Sequence, residues 1–303
     1  MLIVTYRKVF YAISAVIVVC ALAATIAWGI NPGIDFTGGT SVEVSYASST
    51  RPAASELDGP LTNIGIANYS LRPSGENEYF LETQTVSDQA RKALPAAFSV
   101  NGKYPTTIVA LDQVGPTIGN ELAQKAWLAL VLVLLAIVCF ITFAFRSVSR
   151  PVSSWVYGLI ALIALAHDVV VPVGFFAAMS HFFGIQADAL FVTAILTILG
   201  FSVHDTIVVF DRVRENLRKA EPKQARERFE MIAGTSLNQT FTRSVNTSLT
   251  VAVSLLALFF LGPVSTQDFA LTLLIGIIAG TYSSIALATP LLVTVAGYLD
   301  RKK

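Results

Sequence analysis

Charged side chains are scarce in this sequence, at 14% of 303 residues. An ordinary soluble domain carries about a quarter. The few charges are clustered, which leaves long stretches with none. Hydrophobic residues reach 54%, so the composition is that of a membrane protein rather than a soluble globular chain. Cysteine is nearly absent. Cys20 and Cys139 both lie in apolar runs, where they read as small apolar filler. Histidine is as rare: His167, His181 and His204 are dispersed along the chain, and no metal site is expected. CxxC, HExxH, a phosphate loop and GxSxG are all missing. No nucleophile–base set replaces them, so neither an enzyme nor a bound cofactor is expected. The net charge of +1 gives no reason to expect a nucleic-acid partner.

Long apolar runs are present. Six are long enough to cross about 30 Å of hydrocarbon, near 9–29, 126–145, 153–178, 189–210, 241–262 and 269–297. The first follows Tyr6-Arg7-Lys8 and could resemble a signal peptide. Its apolar run exceeds the roughly 7–15 residues of a cleavable core, and an uncleaved anchor is predicted. One set of flanks holds Arg7 and Lys8, Arg146 and Arg150, Arg212 to Arg228, and Arg301 to Lys303. The opposite short flanks, 181–188 and 262–268, hold no Lys or Arg. By the positive-inside rule both termini are cytoplasmic.

The predicted organisation is a first transmembrane helix over 1–30, an external α/β domain over 31–125, and a five-helix bundle over 126–303 with a cytoplasmic loop at 211–239. The external segment alternates as strands over 40–46, 66–72, 78–84 and 106–114, the middle pair around a Pro-Ser-Gly turn. Helical spacing falls at 52–64 and 87–98, the latter opening on Ser87 as a cap. The order βαββαβ is ferredoxin-like. No catalytic cluster lies in it, which predicts a binding or structural module.

Polar groups inside the spans are the functional candidates. Asp205 interrupts the apolar run LFVTAILTILGFSV. A charge at a span centre costs about 2.5–3.5 kcal/mol on insertion scales, so such an acid either moves ions or pairs with a neighbouring helix. Ser202, Asp205, Val209 and Arg212 share a helical face. Gln239, Arg243, Asn246 and Thr250 form a second polar stripe, expected to face the bundle. Asp205 and Arg243 lie at similar depth on antiparallel spans, and an ion pair between them is predicted. His167-Asp168, placed by length in the outer half of the membrane, is either functional or a packed polar pair. Gly276 and Gly280 permit close helix approach.

Four stretches carry a resemblance. GIDFTGGT (33–40), VGPTIG (114–119) and GFSVHDTIVVFDRVREN (200–216), with TFTRSVNTS (240–248), resemble the SecD/SecF family of bacterial protein-export membrane proteins. The resemblance covers the whole chain. It implies half of a resistance-nodulation-division bundle, and the family's glycine motif on Asp35, Phe36, Gly38 and Gly39. It also implies a proton relay on Asp205 and Arg243, with protons as the coupling ion and no other cofactor. His204 stands where the family more often has Asn, next to the relay acid. Asp168, Gln239, Asn246 and Arg212 are secondary polar candidates. The implied function is proton-driven late translocation of preprotein in the inner membrane. The implied partners are SecD, which holds the other relay carboxylate, the SecYEG channel with SecA, further translocon subunits, unfolded preprotein and lipid. The competing readings are a scaffold without proton transport and half of a small-molecule proton antiporter.

Overall fold

The computed structural model describes residues 2–47, 51–144, 152–220 and 229–301. Arg146, Arg150, Lys223, Arg226, Arg228, Lys302 and Lys303, counted above as cytoplasmic cations, lie outside the described residues. Among the described residues six helices are long and apolar enough to cross a membrane. They are span one (Arg7–Trp28), span two (Pro116–Ala144), span three (Ser154–Phe183), span four (Ala189–Lys219), span five (Phe229–Leu261) and span six (Val264–Leu299). Most outrun the apolar stretch that predicts them. Span four continues through Arg212 to Lys219, and span five begins at Phe229 rather than near 241. Loop 211–239 is therefore largely helical. The reason is that a helix closes its own backbone hydrogen bonds and can run on into the interface with charged side chains, as between Glu215 and Lys219.

The chain divides into two compact units. The helical unit comprises Met1–Gly29, Ala129–Met179 and Thr193–Lys303. Its interior is built from spans three, four and six, whose apolar windows are 50%, 50% and 67% buried against 11% for span one. Tyr157 on span three meets Phe210 on span four edge to face at 5.3 Å between ring centroids, among Ile160, Ala164, Leu199 and Leu292. Spans approach closely where a side chain is missing. At Gly280 a Cβ would sit 3.1 Å from Ser202 Cβ, and at Gly276 it would overlap Ile198. The Gly276–Gly280 face is thus filled by span four of the same chain. Span six is not a regular α-helix throughout: Ser284–Ala288 is a π turn, with Thr289 Oγ1 donating to the Ser284 carbonyl at 3.1 Å.

The second unit comprises Ile30–Leu128 and Ser180–Val192. Its strands are β1 (Gly39–Tyr46), β2 (Tyr69–Ser74), β3 (Glu78–Thr83) and β4 (Thr106–Val114), with helices α1 (Ala54–Asn63) after β1 and α2 (Asp88–Phe98) after β3. The sheet order is β2-β3-β1-β4, all antiparallel, which is the ferredoxin-like arrangement. Alternate residues of β1 (Val42, Val44, Tyr46) meet Leu57 and Leu61 of α1 and Leu94 and Phe98 of α2 in one apolar core. Ser87 caps α2 by accepting from Ala90 N–H at 3.2 Å. The hairpin turn differs from expectation, because β2 runs through Pro73 and Ser74 and the chain reverses at 75–77. Proline is tolerated there because β2 is an edge strand and its missing N–H faces no partner.

The stretch 180–192 joins the sheet-bearing unit, although in sequence it reads as a flank of the bundle. Ala187 donates to the Asn31 carbonyl at 2.8 Å, and Gly33 donates back to the Ala187 carbonyl at 2.6 Å. Backbone groups that leave a helix need partners, and here two connecting segments satisfy each other.

Candidate functional site

Span four carries the candidate acid. Asp205 is only 2% exposed, on a face with Ser202, Thr206 and Val209 that turns into the bundle. Its Oδ2 is buried and makes no hydrogen bond. Ser244 of span five lies within interaction range of this carboxyl, but its Oγ closes no hydrogen bond. The charges that act on Asp205 are those of His204, Arg243 and Asp168.

The predicted Asp205–Arg243 ion pair does not form among the described residues, and Arg243 is exposed. The polar stripe of span five was expected to face inward, yet Gln239, Arg243, Asn246 and Thr250 are all exposed. A different stripe, Ser236, Thr240, Ser244 and Ser248, is buried instead. The two are offset by one to three positions, so each has its own side of the helix. Small hydroxyl residues let two backbones approach, whereas a guanidinium would hold them apart. His204, the neighbour of Asp205 in sequence, is exposed as well. Arg212 does not reach Asp205. It bonds Gln239 Oε1 through Nε at 2.6 Å and Glu215 through Nη1 at 2.5 Å, and Asn216 reaches the same Gln239 oxygen at 3.0 Å.

Asp168 is the other buried acid, 0% exposed. It is the fifteenth of the 30 residues of span three. Three polar side chains converge on it. His167 Nδ1 lies 2.8 Å from Oδ1, Ser283 of span six donates to Oδ2 at 2.7 Å, and Ser202 of span four donates to the same oxygen. Ser202 was legible only as sharing a face with Asp205, and Ser283 and Ser244 were not read as site residues. The only signal was a serine recurring inside an apolar run, as serine does at tight helix contacts.

The glycine motif lies in the sheet-bearing unit. Asp35 Oδ2 accepts from the N–H of Ala189, the first residue of span four, at 2.8 Å. Asp188 Oδ1 caps Phe191 N–H, also at 2.8 Å. Two carboxylates therefore meet one helix N-terminus, where the macrodipole favours negative charge. Phe36 is half-buried. A Cβ on Gly119 would lie 3.0 Å from the Phe36 carbonyl and 2.9 Å from Gly38 N, and one on Gly38 would lie 2.8 Å from Pro116. GIDFTGG and VGPTIG are thus two loops pressed backbone to backbone. Gly38 also holds φ at +78°, a conformation open to glycine at little cost.

A six-span helical membrane protein with a ferredoxin-like domain between spans one and two, and two acids buried in its bundle, is the class these features define. The model of the SecD/SecF C-terminal region of protein export membrane proteins matches residues 96–297, and the SecD/SecF GG motif matches residues 29–50. The chain is 39% identical over 291 residues to the protein translocase subunit SecF of Anaerolinea thermophila, covering 95% of this chain and 91% of the relative. It is 40% identical over 305 residues to that of Thermobaculum terrenum, covering 96% and 93%. The chain belongs to the SecD/SecF family. It also superposes on the crystal structure of SecDF, a translocon-associated membrane protein of Thermus thermophilus, with TM-score 0.81 and 30% identity over 97% of this chain. It spans only 38% of that longer SecDF chain.

Proposed function

We propose that this chain is a protein translocase subunit that works with SecD to couple proton movement to late preprotein translocation through the SecYEG channel, after SecA has acted. The observation that carries the reading is Asp205: a carboxyl 2% exposed in an apolar span, with one oxygen unpartnered. Such a group is costly unless its protonation changes or a partner arrives. Arg243 and the exposed polar stripe of span five would be costly against lipid, and a second six-span half would cover them. The SecDF relative of Thermus thermophilus is a longer chain of which this one matches 37% at 34% identity, which leaves room there for such a half. Covering the stripe would bring a SecD carboxylate beside Arg243, and the changed pairing would rock one half-bundle against the other. The coupling needs no further cofactor. Inverted vesicles that lack this chain should keep ATP-driven initiation and lose gradient-stimulated completion of translocation. Full stimulation without it would overturn the reading.

The reading also sets an orientation in the inner membrane, with both termini cytoplasmic and the ferredoxin-like domain outside. A cysteine placed at Gly75, in the β2–β3 turn with nothing within 4 Å of a Cβ, should react with an impermeant maleimide added to intact cells or spheroplasts. Labelling only after the inner membrane is broken would reverse the orientation.

A further inference from the structure

Asp205 is not alone in the bundle, and the second acid has the better-built site. We propose that Asp168 is a second proton-carrying residue: a proton held by Asp205 passes by way of the Ser202 hydroxyl to Asp168. The inference rests on the proton-coupled reading of Asp205 given above.

The two carboxyls have opposite surroundings. An ionised carboxylate only accepts hydrogen bonds, and Asp168 is met by two serine donors from spans four and six, with the His167 ring nitrogen against its other oxygen. Asp205 meets no donor at Oδ2, a setting that suits a carboxyl holding its own proton. Ser202 connects them. It bonds Asp168 Oδ2 and precedes Asp205 by three residues on the same buried face, which puts their Cβ atoms about 5–6 Å apart. One rotamer change or one bridging water spans that gap.

A hydroxyl donates and accepts at once, so the transfer balances. The Asp205 O–H bond breaks and its proton goes to Ser202 Oγ. Ser202 releases its own proton to Asp168 Oδ2, and one negative charge moves from Asp168 to Asp205. Ser283 holds the same Oδ2 from span six rather than from the span that carries Asp205, and serves as a positioning group.

The titratable and charged groups around the pair come from four spans. Span three gives His167, whose Nδ1 meets Asp168 while its Nε2 is buried without a partner. Span four gives His204, and span five gives Arg243, whose charge reaches Asp205 without contact. Span six gives Tyr282, its ring centroid 6.0 Å from that of His167. Among the described residues no Lys or Arg pairs with Asp168, and its contacts are the His167 ring and two serine hydroxyls. Ser283 is followed directly by the π turn Ser284–Ala288. Irregular turns of that kind concentrate at functional positions.

The experiment uses the complex with its partner in inverted vesicles, at matched protein levels, and follows gradient-stimulated translocation against pH. Wild type should give a bell-shaped profile bounded by two ionisations of the coupled pair. Asp168→Asn keeps the size and can still bond both serines, so it should assemble. It should lower stimulation by about tenfold or more and remove one limb of the profile. Ser202→Ala should cost about tenfold and Ser202→Thr should recover it, because only the hydroxyl is needed. Ser283→Ala should cost less than about threefold and keep both limbs, since it holds Asp168 without lying on the path. Two limbs in Asp168→Asn at any amplitude, or equal losses in Ser202→Ala and Ser283→Ala, would make Asp168 a packing residue and overturn the proposal. Loss in Asp205→Asn with full stimulation in Asp168→Asn overturns this proposal alone. Full stimulation in Asp205→Asn overturns the underlying proton reading as well.

Discussion

Asp205→Asn should insert, fold and assemble at wild-type levels, yet lose gradient-dependent export by at least about tenfold. The amide matches the carboxyl in size and hydrogen bonding but fixes the neutral state. Because Asp205 is already 2% exposed with an unpartnered oxygen, removing its charge relieves a burial cost rather than creating one. Stability should therefore hold or rise while coupling fails, and that combination separates a proton role from a scaffold role. The driving force is sufficient. One charge crossing 100 mV releases about 2.3 kcal/mol, enough to shift a two-state equilibrium about 50-fold. Arg243→Lys should fail nearly as badly, because an ammonium cannot reproduce the planar two-pronged pairing with a carboxylate. Asp211→Asn supplies the contrast. Its side chain is 55% exposed and paired with Arg214, and exposed pairs are worth about 0–1 kcal/mol, so export should stay within about twofold. The measurement is preprotein translocation into inverted vesicles with and without a proton gradient. Undiminished stimulation in Asp205→Asn would leave the scaffold reading in possession.

Gly174→Ala should destabilise the bundle by about 1–3 kcal/mol, the usual cost of overpacking. An added Cβ would overlap Ala21 Cα and the Ala21 carbonyl oxygen. Both are backbone atoms of span one, so no rotamer relieves the clash and spans one and three must separate. Gly200→Ala is the control: nothing lies within 4 Å of its Cβ, and alanine favours the helix by about 0.8–1.0 kcal/mol. Thermal unfolding of the purified complex in detergent should rank Gly200→Ala at or above wild type and Gly174→Ala below it. Equal midpoints for Gly174→Ala and wild type would mean that spans one and three are not in backbone contact.

Both residues show where sequence reasoning stops. Gly174 looks like any glycine in an apolar run, because a close approach is a property of two helices and only one is visible in a local window. The same limit explains Arg243. Its spacing with Gln239, Asn246 and Thr250 was legible, but spacing defines a stripe without saying which side of the helix the neighbours occupy. The buried side of span five was decided by Ser236, Thr240, Ser244 and Ser248, whose small side chains permit a contact that a guanidinium prevents.

The sequence by itself determined the six spans, the βαββαβ order and the position of an acid inside an apolar helix. Each is a local matter: about 20 apolar residues must cross hydrocarbon, alternation must put one strand face in a core, and a carboxyl in a span is conspicuous whatever surrounds it. Only the tertiary structure decided that Asp168, Ser202 and Ser283, far apart in sequence, share one buried oxygen. It alone sent Arg243 outward and brought 180–192 to the loop that holds Asp35. Those outcomes depend on which helix faces which, and a buried hydrogen bond forms only where packing brings donor and acceptor together.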